Sequence, residues 1–403
     1  MKIAILHYSV PPIVGGVESV IGHHARLMTV DGHSVHLIAA RGEALDAQIP
    51  LTLIPLADSM HERVNNVKLE LDLGIVTSQF ETLRDELAGQ LDSALAGMDV
   101  LIAHNVCSLN KNLALTAALH QLHSAGKLPR LILWHHDLAW TTPRYQPELY
   151  DGYPWDLLRS DWGKTTHVVV SELRRKELAE LMGLEETSIH VIPNGVDMVR
   201  FYKLEPQTQA LLEATNLLDS APILLLPVRV TPRKNIELAL STLAELQRVF
   251  PAASLVVTGP LGPHNAGNRQ YFEKLTGLSA QLGLKKSAHF LAGLTNTFLP
   301  DEVIADFYRI ADGLFFPSRE EGFGIPLIEA AFSHLPAFCA DIPPLRELGL
   351  EDASFFSPDE SPVDLANLIA NYFQTAQPAR LAMRIRSNFR WDAIYRQHIA
   401  PIL

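Results

Sequence analysis

Several things are scarce in this chain of 403 residues, and each scarcity excludes something. There are two cysteines, Cys107 and Cys339, both in apolar stretches. Two such residues make no disulfide framework and act as small buried hydrophobes, which suits a reducing compartment and implies a cytoplasmic protein. No run of lysine or arginine occurs, and the formal net charge is −12. An acidic chain has no electrostatic reason to seek nucleic acid or an anionic membrane. No apolar stretch reaches the roughly 18 residues of a membrane-spanning helix, which leaves peripheral membrane contact as the only membrane role open. The opening MKIAILHYSVPP stops at Pro11 and Pro12, too short for a signal-peptide core, and reads as a first β-strand. Metal-ligand spacing is also missing. His135-His136-Asp137, His23-His24 and His104-Asn105 are runs of adjacent residues, which rarely converge on one ion, so no metal site is expected. The fingerprint G-x-G-x-x-G is absent, which argues against a dehydrogenase, and neither repeats nor low-complexity segments appear.

What is present is a globular composition, 47% apolar and 19% charged, in a chain long enough for two ordinary domains. Short apolar runs recur at 3–8, 35–40, 51–55, 99–103, 131–134, 167–170 and 189–192. Amphipathic stretches lie between them. Val17, Val20, Ile21, His24, Leu27 and Met28 share one helical face, and Leu83, Leu87, Leu91 and Leu95 share another. The alternation pauses across 193–222 and restarts with runs at 223–228, 254–258, 288–291, 312–316, 337–339 and 354–356. Strands alternating with helices predict βαβ units and parallel sheets. The expected organisation is α/β with two doubly wound, Rossmann-like domains facing across a cleft, at 1–200 and 201–385, followed by a final helix at 386–403. Ligands bind such sheets outside the carboxyl ends of their strands.

The residues with chemical promise stand at those strand ends. After the first strand come Gly15 and Gly16, then a helix opened by Val17 and Glu18. Glycines between strand and helix let backbone N–H groups approach an anion, and an ordinary flexible turn would look the same. The segment SREEGFGIPLIEAA, 318–331, carries the strongest signal. Glu321 falls in a loop and Glu329 in a new helix, with Gly322, Phe323 and Gly324 between them and Pro326 suited to the helix's first turn. Glycines there free the backbone, the helix N-terminus favours phosphate, and carboxylates accept hydrogen bonds from sugar or ribose hydroxyls. Arg229 and Lys234, five apart after another apolar run, can neutralise a pyrophosphate leaving group, with Arg233 competing for either role. Either His136 or His135 follows the strand at 131–134, and His104 and Asn105 end an earlier strand where they could line a binding site. The stretch 139–158 is dense in aromatics, including Trp140 and Tyr145, which would stack on an acceptor sugar or else pack as an ordinary excursion.

At this point the chain resembles glycosyltransferase family 4. That family carries a Glu, seven residues and a second Glu in a Pro-Ser, Glu-Gly-Phe-Gly-x-Pro context. Pro317, Ser318, Glu321, Gly322, Phe323, Gly324, Pro326, Glu329 and Ala330 match it position by position. The family's following Gly-x-Pro is here altered, with His334 in place of the glycine and Pro336 kept, which puts the helix end in question. Arg229 and Lys234 match its diphosphate-contacting pair, Gly15-Gly16-Val17-Glu18 its N-terminal glycine loop, and IPNGVD its interdomain segment. Trp391 matches its C-terminal element, which implies that the helix at 386–403 crosses back to the first domain, and His136-Asp137 is the better match to its strand-end histidine.

The resemblance implies a GT-B fold and a retaining, metal-independent hexosyltransferase. The co-substrate would be a nucleoside-diphosphate sugar, UDP- or GDP-linked, carrying glucose or mannose, and the acceptor a sugar or other polar hydroxyl compound. Glu321, His136, Arg229 and Lys234 would be catalytic, and Gly15, Gly16, Gly322, Phe323, Gly324, Ile325 and Glu329 would bind the donor. The same architecture also serves sugar-nucleotide epimerases and hydrolases, glucan phosphorylases and non-catalytic sugar-nucleotide binders.

Overall fold

The computed structural model describes residues 1–260, 266–295 and 298–403. It divides into two compact units, one comprising Met1–Gly195 with Trp391–Leu403 and the other Val196–Arg390.

The first unit is a parallel sheet of seven strands: β1 (Lys2–Leu6), β2 (Ser34–Ala39), β3 (Leu51–Leu53), β4 (Val100–His104), β5 (Arg130–His135), β6 (Thr165–Val169) and β7 (Ile189–Val191). Their spatial order is β3-β2-β1-β4-β5-β6-β7. The second unit holds β8 (Ile223–Leu226), β9 (Ser254–Val257), β10 (Ala288–Phe290), β11 (Gly313–Phe316), β12 (Ala337–Ala340) and β13 (Ser354–Phe356), in the order β10-β9-β8-β11-β12-β13. Every pairing in both sheets is parallel. Each order reverses direction once, between β1 and β4 and between β8 and β11. Such a switch point opens a crevice at the carboxyl ends of the two strands.

The apolar runs became strands because both faces of a parallel sheet are covered, so uninterrupted hydrophobic stretches are buried on either side. All of β4, β8, β9, β11 and β12 is buried. The helix Gly16–Val30 buries Val20, Ile21, His24, Ala25 and Met28, as its 3.6-residue period requires. Leu83, Leu87, Leu91 and Leu95 are likewise buried, the first three in the helix Ser78–Ala94. Several strands end sooner than the apolar runs do, β1, β3 and β8 by two residues each. β1 stops at Leu6, although the His7 N–H still donates to the Ile38 carbonyl over 3.1 Å and the Tyr8 carbonyl accepts from the Ala40 N–H over 3.1 Å. β3 stops at Leu53, because Pro55 starts a 3₁₀ turn.

Trp391 belongs to the first unit. Its ring stacks on His23 at 5.3 Å and meets His24 edge-on, also at 5.3 Å. The described helices include none long and apolar enough to cross a membrane.

Candidate functional site

In the second unit the crevice at the β8/β11 switch point gathers both charged motifs. β8 leads through Arg229 to a 3₁₀ turn, Pro232–Lys234, and β11 leads through Ser318 and Glu321 to the helix Ile325–Phe332. The loops are joined where the Arg319 N–H donates to the Arg233 carbonyl over 2.8 Å. Lys234 and Glu321, whose side chains are 9% and 10% exposed, form a short hydrogen-bonded ion pair through Nζ and Oε1. A lone buried ammonium or carboxylate would be costly, and pairing makes both tolerable there. Lys234 Nζ also lies 5.8 Å from the Phe316 ring centroid. Arg229 and Arg233 are exposed, and neither side chain has a partner among the described residues. Two hydroxyls of these loops, Thr231 Oγ1 and Ser318 Oγ, are buried without a hydrogen-bond partner. Such orphaned groups are costly in a finished core and common where a ligand completes the bonding.

The glycines divide by what surrounds them. Gly324 has φ +106°, and a Cβ there would come within 2.5 Å of Leu345 Cδ2, so this position is held by the protein's own backbone and packing. A Cβ on Gly322 would meet nothing within 4 Å. Phe323 and Ile325 are exposed beside it, at 55% and 58%. Gly259, on the loop after β9, lets its backbone pass against Val228, since a Cβ would fall 1.8 Å from the Val228 carbonyl oxygen. Glu329 is exposed, and its Oε2 accepts a 2.6 Å hydrogen bond from the hydroxyl of buried Tyr308. Burial and the Glu329 carboxylate push the Tyr308 hydroxyl above the usual phenol range, so it stays protonated and donates. Nothing in the sequence around Tyr308 signals this. After the helix, His334 adopts φ +56°, so it takes the left-handed backbone where the family has glycine.

In the first unit a cluster of neutral imidazole rings stands at the β1/β4 crevice, with the charged groups of Glu18 and Lys111 acting on His7. His136 is 9% exposed, and its Nε2 lies 3.0 Å from Nδ1 of His104, which is fully buried. Burial first, then the neighbouring His7, pushes His136 down to about 3, so it is uncharged at neutral pH. Burial likewise pushes His7 down to about 4 and His24 to about 3. His135 is turned elsewhere: its Nε2 lies 3.1 Å from His167 Nδ1, and His167 in turn faces Asp161 at 3.3 Å.

Two expected ligand contacts take other places. His104 was expected to line a binding site, but it sits at 0% exposure behind His136. Asn105 is 3% exposed, and its side-chain oxygen accepts from the backbone N–H groups of His136 at 2.7 Å and Asp137 at 3.2 Å. Its φ of +57° makes this possible, a conformation asparagine tolerates better than most residues. The aromatic excursion is also largely spent on packing. The Trp140 indole N–H donates to the Trp155 carbonyl over 3.3 Å, and the Arg159 guanidinium lies 3.9 Å from the ring centroid. Arg144 donates to the Tyr145 hydroxyl over 2.9 Å, and Tyr150 donates to the Asp72 carbonyl. At the helix Gly16–Val30, a Cβ on Gly16 would meet nothing within 4 Å. Glu18 folds back over Gly15 and accepts from Ser9 Oγ at 2.6 Å, so a carboxylate already lies against that helix N-terminus.

Comparison with known proteins identifies the family. The profile of Glycosyltransferase Family 4 matches residues 14–200, and that of Glycosyl transferases group 1 matches residues 208–389. The chain belongs to glycosyltransferase family 4, and its two parallel-sheet units are those of the GT-B class. Among similar proteins is the mannosylglucosylglycerate synthase of Petrotoga mobilis, 27% identical over 284 residues, 65% of each chain. That of Thermotoga maritima is 25% identical over 383 residues, 88% of this chain and 86% of the relative. The D-inositol 3-phosphate glycosyltransferase of Nocardia farcinica is 33% identical over 168 residues, 41% of this chain but 35% of the relative. The chain thus spans less than two thirds of the Petrotoga and Nocardia relatives. Anabaena HepE in complex with UDP and glucose superposes over 100% of this chain and 99% of its own, with 20% identity and a TM-score of 0.36.

Proposed function

We propose that the chain transfers a hexose, glucose or mannose, from a UDP- or GDP-linked donor to a hydroxyl of a small polar acceptor, with retention of anomeric configuration. The buried Lys234–Glu321 pair at the β8/β11 switch point is the observation that carries this reading. A cation beside a carboxylate, with exposed Arg229 on the same loop as Lys234 and open space at Gly322, suits a ligand with a diphosphate joined to a polyol. Arg229 and Lys234 would hold the diphosphate with backbone amides near Gly324 and Ile325, while Glu321 accepts from the sugar's hydroxyls. Glu329 would take the ribose hydroxyls, and His136 would contact the donated sugar. As the bond between the anomeric carbon and the phosphate oxygen breaks, positive charge builds on the ring. The acceptor oxygen forms its bond on the face the diphosphate leaves, and its proton passes to a phosphate oxygen. The chain's own cations supply the charge stabilisation, so chelation with EDTA should leave the rate unchanged; a rate abolished by EDTA and restored by a divalent cation contradicts this.

The relatives named for mannosylglucosylglycerate and for inositol 3-phosphate support a small, soluble, polar acceptor. A thermal-shift panel of nucleotide sugars tests the donor. A true donor at a hundred times its Kd stabilises by about 2.7 kcal/mol. Transfer of its sugar to a hydroxyl compound, with the anomeric configuration read by NMR, then tests the reaction. No shift with any nucleotide or nucleotide sugar overturns the proposal.

A further inference from the structure

The first unit's histidines carry an inference about proton placement, which rests on His136 acting in the transfer. His136 Nε2 and His104 Nδ1 lie 3.0 Å apart, so one of them donates to the other. Both rings are neutral at neutral pH, burial being the main cause for each, so each carries a single proton. Two arrangements are therefore open. In one, His136 donates from Nε2, and the proton of His104 must then sit on its own Nε2. That atom is buried and has no partner. An N–H sealed from both water and protein forfeits a whole hydrogen bond, and buried orphaned N–H groups are rarer than buried bare acceptors. In the other, His104 carries its proton on Nδ1 and donates to His136, leaving only a bare lone pair at the sealed nitrogen.

We propose that His104 is a positioning residue that donates from Nδ1 to Nε2 of His136 and so fixes His136 as the tautomer with its proton on Nδ1. His136 then offers its ligand an N–H donor, suited to an oxygen of the sugar, and has no free ring nitrogen to accept a proton. Nδ1 of His136 has no partner among the described residues, and it is not one of the buried unpaired atoms, so it stays available. The surroundings hold the pair rigidly. His7 Nδ1 donates to the His104 carbonyl over 2.7 Å, and Asn105 fixes the backbone of His136 and Asp137. The His104 ring stacks on Trp134 at 5.2 Å between centroids. A hydrogen bond to one imidazole nitrogen decides which function the other can perform.

The test is a long-range ¹H–¹⁵N spectrum of the full chain labelled at histidine imidazole nitrogens. Both His104 and His136 should show protonated Nδ1 and bare Nε2. A proton on Nε2 of His136 in the unaltered protein overturns the proposal. Two variants extend it. His104→Asn keeps an N–H donor near the position of Nδ1, and His104→Leu removes it. The leucine variant should release His136 to the Nε2–H form and lower kcat on the order of tenfold, the size of one net hydrogen bond, with little change in donor KM. The asparagine variant should restore both the tautomer and the rate. If His136→Ala turns over at the normal rate, the role of His136 fails while the tautomer result stands. If His136→Ala is crippled but His104→Leu, folded by its melting temperature, is fully active, the positioning role fails.

Discussion

The two units share a strand order and a switch point but equip the crevice there differently. The second unit places ionised groups, with Lys234 against Glu321 and Arg229 and Arg233 exposed nearby. The first unit places uncharged imidazoles, with His136 backed by His104, and His7 and His24 close by. The topology supplies a crevice in both cases, while the side chains decide what each can hold. Fixed charges suit a diphosphate whose charge grows during transfer, and neutral donors suit a sugar's hydroxyls.

The largest expected break in this comparison is Lys234→Ala, which should lower kcat by about 10² to 10³, as loss of one charge stabiliser does. Near-normal turnover in single-turnover assays would move the charge role to Arg233 or elsewhere. Acid should separate the units next. His7, His24 and His136 are held well below the ordinary histidine value. The unfolded chain therefore binds protons that the folded first unit refuses. The stability these groups contribute is complete above about pH 6.5 and is lost progressively as pH falls toward 4. All five tryptophans lie in the first unit, so their fluorescence reports that unit alone. Its melting temperature should fall by several degrees between pH 7 and 5, and a flat profile would mean that the histidines are hydrated or charged.

The glycine contrast is smaller. Gly324→Ala forces a side chain into φ +106° and should cost about 1–3 kcal/mol of stability, while Gly322→Ala should leave the melting temperature unchanged and weaken donor binding. Equal melting temperatures in the two variants would remove the distinction. The smallest effect is that of Tyr308→Phe. Losing the hydrogen bond to exposed Glu329 should raise donor KM about fivefold with kcat preserved, a change of roughly 1 kcal/mol. An unchanged KM would mean that water orients the carboxylate equally well.

Much of this was legible beforehand. Every strand overlaps an apolar run, most completely in β4, β8, β9, β11 and β12, where burial on both faces of a parallel sheet favours apolar residues throughout. Glu321 stood out beside Gly322 after an apolar run, Glu329 by its spacing from Glu321, and Lys234 by its spacing from Arg229 after another apolar run. What could not be read were relations between distant segments. Lys234 meets Glu321 across 87 positions of sequence, and Tyr308 finds Glu329 from a different helix.

By itself the sequence determined the α/β class, the positions of the strands and the family, since periodicity and local motifs are properties of neighbouring residues. The tertiary structure decided which of two adjacent histidines backs onto His104 and which onto His167. It also turned His104 and Asn105 from expected ligand contacts into supports, and gave Gly322 and Gly324 different tasks. Burial, tautomer and orphaned hydrogen-bonding groups depend on what another part of the chain brings within about 3 Å. Only the folded packing sets that distance.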